Sequence, residues 1–239
     1  MRGRCSIVLV VIAAMATALV GAHSAAACGK QSYAYAGVSG THAAAGIGAA
    51  VSTLSLPRVA EGHVAAFVGV GGPGLGPGGS NEWLQIGLSG FAGGVSSVYY
   101  EVARPGRVPL YTELKTDVRP GETHRIAVLE QHGRASWWRV WLDGRAASRP
   151  IYLPGSHGRW TPMATAESWT PGRATCNAYS FRFRRVSIAP TAGSRWQRLR
   201  DHYTFSDAGY CVVRRSEAAF VATTAPGAQS SRQLVSFRG

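Results

Sequence analysis

Residues 82–88 read Glu-Trp-Leu-Gln-Ile-Gly-Leu and alternate strictly between two kinds of side chain. Because neighbouring residues of a β-strand point to opposite faces, Trp83 and Gln85 share one face and three aliphatic side chains share the other. The aliphatic stripe predicts packing against a second layer, and the amide beside an indole predicts a groove on the outward face. A half-buried strand with its polar face in water explains the same pattern.

Residues 163–169, Met-Ala-Thr-Ala-Glu-Ser-Trp, repeat this arrangement and place Glu167 and Trp169 on one face. A carboxylate and a carboxamide, each beside a tryptophan, make Glu167 and Gln85 a candidate site. A structural role for Glu167, paired with one of the many arginines, is the alternative.

The rest of the chain carries strand signals separated by Gly and Pro turns, and helical periodicity is weak. This pattern predicts an all-β fold, an antiparallel β-sandwich of two packed sheets, over residues 28–190. The glycine-rich residues 71–80 are interpreted as a hairpin loop. Residues 191–239 are predicted to form a C-terminal extension, partly strand around 203–221, with a loosely ordered end. The predicted strands are residues 32–38, 44–55, 63–69, 83–88, 97–102, 110–116, 123–130, 136–142, 163–169 and 179–188.

The N-terminus indicates export. Arg2 and Arg4 precede an apolar run of about 14 residues, and small residues follow it, as is typical of a cleaved signal peptide over residues 1–27. The run is shorter than the roughly 18–20 residues that span a bilayer, so we expect a secreted protein without stable membrane insertion. Cys28 after three alanines also fits a lipoprotein, but the position three before it is Ala25, where Leu is usual.

The formal net charge is +13, and nearly all of the basic residues are arginines. Such a charge favours anionic partners such as cell-wall or surface polymers, although an arginine-rich composition also arises without a binding role. Nucleic acid is not expected as a partner, because the arginines are dispersed and no basic helix or zinc motif accompanies them. No metal-ligand spacing is present, and no cofactor is implied. We expect a monomer.

Three cysteines follow the predicted signal peptide: Cys28, Cys176 and Cys211. In an oxidising compartment they allow three pairings of one disulfide and one remaining thiol. A bridge between Cys28 and Cys176 is our interpretation, because the two cysteines bracket the predicted sandwich domain.

Five short segments resemble, in order and spacing, the glutamic peptidases called eqolisins. They are residues 66–71 (AFVGVG), 84–87 (LQIG), 99–101 (YYE), 119–122 (RPGE) and 165–167 (TAE). The resemblance implies a concanavalin A-like sandwich and a secreted, acid-acting endopeptidase that hydrolyses protein or peptide substrates without a cofactor. It implies Gln85 and Glu167 as the catalytic pair and Tyr99 and Glu101 as groove-lining residues. Trp83 and Trp169, on the same faces as the pair, are the further substrate-binding candidates.

Some positions depart from the family pattern. Phe67 and Val102 stand where Trp is usual, and no second acid follows Glu167 closely. A binding module for carbohydrate or peptide that has kept the groove without turnover is therefore the alternative function. It would use Trp83, Tyr99, Trp169 and the tandem Trp137-Trp138, and exposed Trp137 and Trp141 would favour it. A glycosidase using Glu101 and Glu167 is less favoured, because the Glu-x-Asp-x-x-Glu strand of sandwich glucanases is absent.

Overall fold

The computed structural model of the protein describes residues 31–172 and 177–225. In those ranges the chain forms sixteen β-strands and one short 3-10 turn, Pro77–Gly79. The strands are β1 (Gln31–Gly40), β2 (Gly46–Thr53), β3 (His63–Gly72), β4 (Glu82–Phe91), β5 (Ser96–Ala103), β6 (Leu110–Val118), β7 (His124–Glu130), β8 (Trp137–Leu142), β9 (Arg145–Ala146), β10 (Ile151–Tyr152), β11 (Pro162–Pro171), β12 (Ser180–Ala189), β13 (Gln197–Arg198), β14 (His202–Ser206), β15 (Tyr210–Ser216) and β16 (Ala219–Thr224).

The strands form two antiparallel sheets. The first sheet has seven strands in the order β14-β1-β11-β3-β4-β5-β6. The second has nine, in the order β10-β8-β7-β2-β12-β16-β15, with β13 paired to β12 and β9 paired to β8. The predicted all-β antiparallel sandwich is thereby confirmed, and each of the ten predicted strands overlaps an observed one.

The core lies between the sheets and follows from the alternation along each strand. Leu84, Ile86 and Leu88 of β4 are fully buried, and strands β2 and β7 of the other layer pack across from them with Val51 and Ile126 in the same core. Burying one such side chain contributes about 1.5–3 kcal/mol to folding. The opposite side chains of β4 therefore point to the outer face of the seven-stranded sheet.

Residues after 190 are part of both sheets. Strand β14 pairs with β1 at the edge of the seven-stranded sheet, and β16 pairs with β12 in the nine-stranded one. Up to residue 225 the segment predicted as a partly strand extension thus contributes strands to the two sheets.

Several expectations concern residues outside the described ranges. The predicted signal peptide, Cys28, Cys176 and the chain end after residue 225 all lie there. Cys211 is buried in β15. Among residues 31–172 and 177–225 no helix has the length and apolar character needed to cross a membrane.

Candidate active site

Gln85 and Glu167 lie on the same outer face of the seven-stranded sheet, with strand β3 between them. Gln85 is opposite Gly69 of β3, whereas Glu167 is opposite Ala65. The two residues are therefore offset by about 13 Å along the strand direction, at about 3.3 Å per residue. Both side chains line one cavity of about 510 Å³, and Phe67 of β3 lies in its wall between them.

The Gln85 end of this cavity is fixed by a tyrosine. Gln85 Nε2 donates a hydrogen bond to the Tyr99 hydroxyl over 3.0 Å, and the Tyr99 ring stacks on Tyr111 with centroids 5.0 Å apart. Tyr99 is only 2% exposed, and burial raises the pKa of its phenol well above the usual range, so the hydroxyl stays neutral. Gly69 makes room beside the amide, since a Cβ there would lie 3.0 Å from the Gln85 Cβ.

Tyr99 therefore has a different position from the expected one. The resemblance placed it in the groove wall, but its side chain is buried beside Gln85 and is not among the residues that line the cavity. Its contact with the amide makes it a positioning residue for Gln85.

Glu101 sits directly opposite Gln85 on the neighbouring strand β5. Its Oε1 accepts a hydrogen bond of 2.8 Å from Trp83 Nε1. Burial raises the pKa of the Glu101 carboxyl, the Trp83 hydrogen bond opposes this rise, and the charge of Glu167 adds to it. Trp83 and Glu101 both line the cavity, and the carboxyl groups of Glu101 and Glu167 interact electrostatically.

The Glu167 end is built from a histidine and aromatic rings. Glu167 is 7% exposed, and its Oε1 lies 3.2 Å from His63 Nε2. Trp169 stacks on the His63 ring with centroids 5.9 Å apart, and Tyr33 meets both rings from strand β1. Trp169, expected to bind substrate, is not among the cavity-lining residues and instead supports His63.

Sequence reasoning missed His63 and the rim of the cavity. The alternation of residues 63–69 already places His63 on the face of Phe67, but only the pairing of β3 with β11 puts it beside Glu167. The end of β3 and the connection that follows it contribute Gly72, Pro73 and Asn81 to the cavity wall. Asn81 Oδ1 accepts a hydrogen bond from the Gly74 amide, which fixes this loop against the start of β4.

The tandem tryptophans belong to the other sheet. Trp138 is 1% exposed in the core, while Trp137 and Trp141 are half-buried on the outer face of the nine-stranded sheet. Trp137 packs against Tyr152 and lies beneath the guanidinium of Arg134. They therefore do not contribute to the cavity that holds Gln85 and Glu167.

Within the part of the chain that the structure describes, no group of three or more His, Cys, Asp or Glu side chains is arranged to hold a metal ion. The cavity offers two carboxyls, two carboxamides and one imidazole, and one of the carboxamides, that of Asn81, already accepts the hydrogen bond from the Gly74 amide. This set can move a proton to and from a water molecule and can donate N–H groups to a developing oxyanion.

No family model and no curated protein matches the sequence. Solved structures do match. Scytalidoglutamic peptidase with a peptide-based transition-state analogue is 12% identical, with a TM-score of 0.58, over 82% of this chain and 98% of that one. The eqolisin peptidase SCP-B in complex with the tripeptide Ala-Ile-His is 14% identical, with a TM-score of 0.54, over 80% of this chain and 98% of that one. The β-sandwich described here is thus similar in fold to the glutamic peptidases, across nearly their whole length.

Proposed function

We propose that the protein is a secreted, acid-acting endopeptidase of the glutamic type, with Glu167 and Gln85 as its catalytic pair. The observation that carries this proposal is that both side chains line one cavity on the outer face of the seven-stranded sheet. The likeness in fold to glutamic peptidases supports it. The offset between the two residues leaves room for the scissile peptide and a water molecule between them.

Glu167 acts first as the general base. Its carboxylate takes a proton from water while the water oxygen bonds to the peptide carbonyl carbon. Glu167 then gives this proton to the amide nitrogen, the C–N bond breaks, and an acid and an amine leave. His63 holds one oxygen of Glu167, so the other is available for the water.

Gln85 stabilises the negative charge that forms on the carbonyl oxygen. A carboxamide carries two N–H donors, and Tyr99 accepts one of them. The second N–H is then available for the oxyanion. Because Tyr99 fixes the side chain before substrate binds, little reorganisation is needed during the reaction.

Acidic conditions suit this arrangement, since two carboxylates in one cavity repel each other. Burial raises the pKa of Glu101, so Glu101 takes up a proton at a higher pH than an exposed carboxyl would. With Glu101 neutral, the cavity no longer holds a second negative charge to repel the Glu167 carboxylate on which the proposed mechanism depends.

The test is hydrolysis of a denatured protein substrate by the purified mature protein from about pH 2 to pH 7. We expect cleavage in the acidic half of this range and none by the Glu167→Gln variant, which keeps the side-chain shape but removes the base. Glu217→Gln makes the same change at an exposed turn between β15 and β16 and should leave activity intact. Cleavage by Glu167→Gln would contradict the assigned mechanism.

A peptide-binding module without turnover is the second candidate. It is favoured by the aromatic rings around Glu167, where Tyr33 is 52% exposed beside His63 and Trp169. Peptide binding by the unmutated protein, without cleavage at any acidic pH, would select this function instead.

A further inference from the structure

A second cavity lies on the opposite side of the sandwich, on the outer face of the nine-stranded sheet. Its volume is about 510 Å³. Together with the neighbouring cavity lined by Arg184 and Arg198, it is called the tryptophan–arginine groove. The cavity is lined by indoles and guanidinium groups over a floor of small residues, namely Trp141, Trp196, Arg125, Arg185, Gly48 and Ala127. A Cβ on Gly48 would lie 3.5 Å from the Trp196 ring, so this ring extends over the glycine floor.

An irregularity in strand β12 places Arg184 and Arg185 on this face. The pairing with β2 shifts between Arg184 and Ser187, and Arg185 has φ of 55°, in the left-handed region. The extra residue places Arg184 and Arg185 side by side in solvent, while Phe183 before them and Val186 after them are buried. A left-handed conformation is unfavourable at a non-glycine residue, and such strain concentrates at functional sites.

The cavity continues past Arg185 and Trp196 into a neighbouring one of about 540 Å³, which shares these two residues and extends to Arg184 and Arg198. Together they form one elongated groove with guanidinium groups along its length. The acids nearby are Glu217, which lies 4.0 Å from Arg198, and Asp143, whose carboxylate bonds to His124 and to the Arg125 amide. Arg184 donates a hydrogen bond of 3.4 Å to the Thr123 hydroxyl, whereas the Arg185 guanidinium, at the centre of the groove, pairs with none of the acids of the described residues and is available to an anionic ligand.

We propose that the tryptophan–arginine groove binds a linear acidic polysaccharide whose sugars carry carboxylate groups. Trp196 is 44% exposed and offers an apolar ring face to a sugar ring. Tryptophan combines this apolar surface with a polar N–H group, which suits it to binding surfaces. The planar guanidinium of Arg185 beside it matches a carboxylate in a bidentate geometry. The elongated shape fits a chain of several sugars, and the positive charge of the groove complements it.

This site is independent of the proposed peptidase function. It lies on the other sheet, and none of its residues contacts the cavity that holds Gln85 and Glu167. The protein would attach to an anionic polymer through one face and leave the other face open to a peptide.

The experiment is affinity electrophoresis of the full mature protein in gels containing polygalacturonate, with neutral galactan as the polymer control. Two variants test the groove: Trp196→Ala removes the ring, and Arg185→Gly removes the guanidinium. Because glycine accepts a positive φ, Arg185→Gly should fold at least as stably as the unmutated protein, which separates binding from folding. Arg107→Ala removes the same charge from the exposed β5–β6 connection and serves as the matched control.

We expect retention by polygalacturonate and none by galactan. The dissociation constant should rise about tenfold or more in Arg185→Gly, as for a lost charged hydrogen bond, and about tenfold in Trp196→Ala. Arg107→Ala should change it less than about twofold, because a remote exposed charge is largely screened. Equal weakening by Arg107→Ala, unchanged binding by Trp196→Ala, or equally tight binding of poly-glutamate would each overturn the proposal, the last by pointing to an acidic peptide.

Discussion

The two ends of the candidate active site hold their carboxyl groups in different ways. Glu101 is half-buried next to Gln85, its hydrogen bond comes from the neutral indole of Trp83, and burial raises the pKa of its carboxyl. Glu167 faces His63, a side chain that can carry positive charge. One end therefore favours a neutral carboxyl, and the other places a carboxyl in contact with an imidazole. In the proposed mechanism the first end holds the oxyanion donor, and the second end supplies the group that takes and returns the proton.

The largest effect at the Glu101 end is expected from the amide itself. Replacing Gln85 by Ala removes the proposed oxyanion donor and should lower kcat by roughly 10²–10³, the usual loss for one such donor. The fold should persist, since Gln85 lies outside the apolar core. Steady-state kinetics on a fluorogenic peptide measure the effect, and circular dichroism checks the fold. A decrease confined to KM would show that Gln85 only binds substrate.

At the Glu167 end, replacing His63 is expected to lower kcat more than any change except the replacement of Glu167 itself. His63→Ala should reduce kcat by roughly 10–100-fold, because Glu167 loses the contact that orients it. His63→Gln keeps a donor but no charge, so a partial recovery isolates the hydrogen bond from the charge. The pH profiles of both variants, compared with the unmutated protein, give the measurement. Identical profiles and rates in all three proteins would remove His63 from the mechanism.

The sequence predicts which sheet face carries Gln85 and Glu167 better than it predicts the side chains that contact them. Alternation along residues 82–88 and 163–169 was enough to place Gln85 and Glu167 on outward faces, because the period of a strand fixes which side chains share a side. Strand register depends on contacts between segments that are far apart in the chain. The contact of His63 with Glu167 and the burial of Tyr99 therefore cannot be predicted from any single segment.

The edges of the sandwich were also harder to predict than its centre. Strands β14 to β16 carry more exposed, polar side chains than β3 or β4, so they gave only a weak strand signal between residues 203 and 221. The bulge at Arg185 has no signal in the sequence of the segment. An extra residue in a strand becomes visible only from how β12 pairs with β2.

A third buried carboxyl extends the comparison to stability. Glu82 at the start of β4 is fully buried, and neither carboxyl oxygen has a hydrogen-bond partner within the described residues. Burial raises its pKa to about 7, and the charge of Arg104 opposes this rise. The folded state then binds the Glu82 proton more tightly than the unfolded state does. The resulting stability is present below about pH 4.5 and is lost as pH rises through about 7.

Glu82→Gln should therefore flatten the pH dependence of unfolding. We expect the unmutated protein to lose about 2–3 kcal/mol of unfolding free energy between about pH 5 and pH 8 through this group, and the variant to lose less. Urea denaturation at both pH values measures the difference. Equal losses in the two proteins would mean that another group carries the dependence.

The smallest effect, and the one that addresses the comparison most directly, is expected from Glu101→Gln. Where Glu101 is protonated, glutamine resembles it in shape and charge and can still accept the Trp83 hydrogen bond, so rates at low pH should change less than about threefold. As pH rises through the raised pKa of Glu101, the unmutated protein gains a negative charge beside Gln85, where the oxyanion forms. Its activity should then fall, whereas Glu101→Gln should stay active to a higher pH. Rate profiles for the two proteins, measured on the same peptide from about pH 3 to pH 7, decide the matter. If both lose activity at the same pH, Glu101 does not set the upper limit, and the two ends of the cavity are more alike than their contacts indicate.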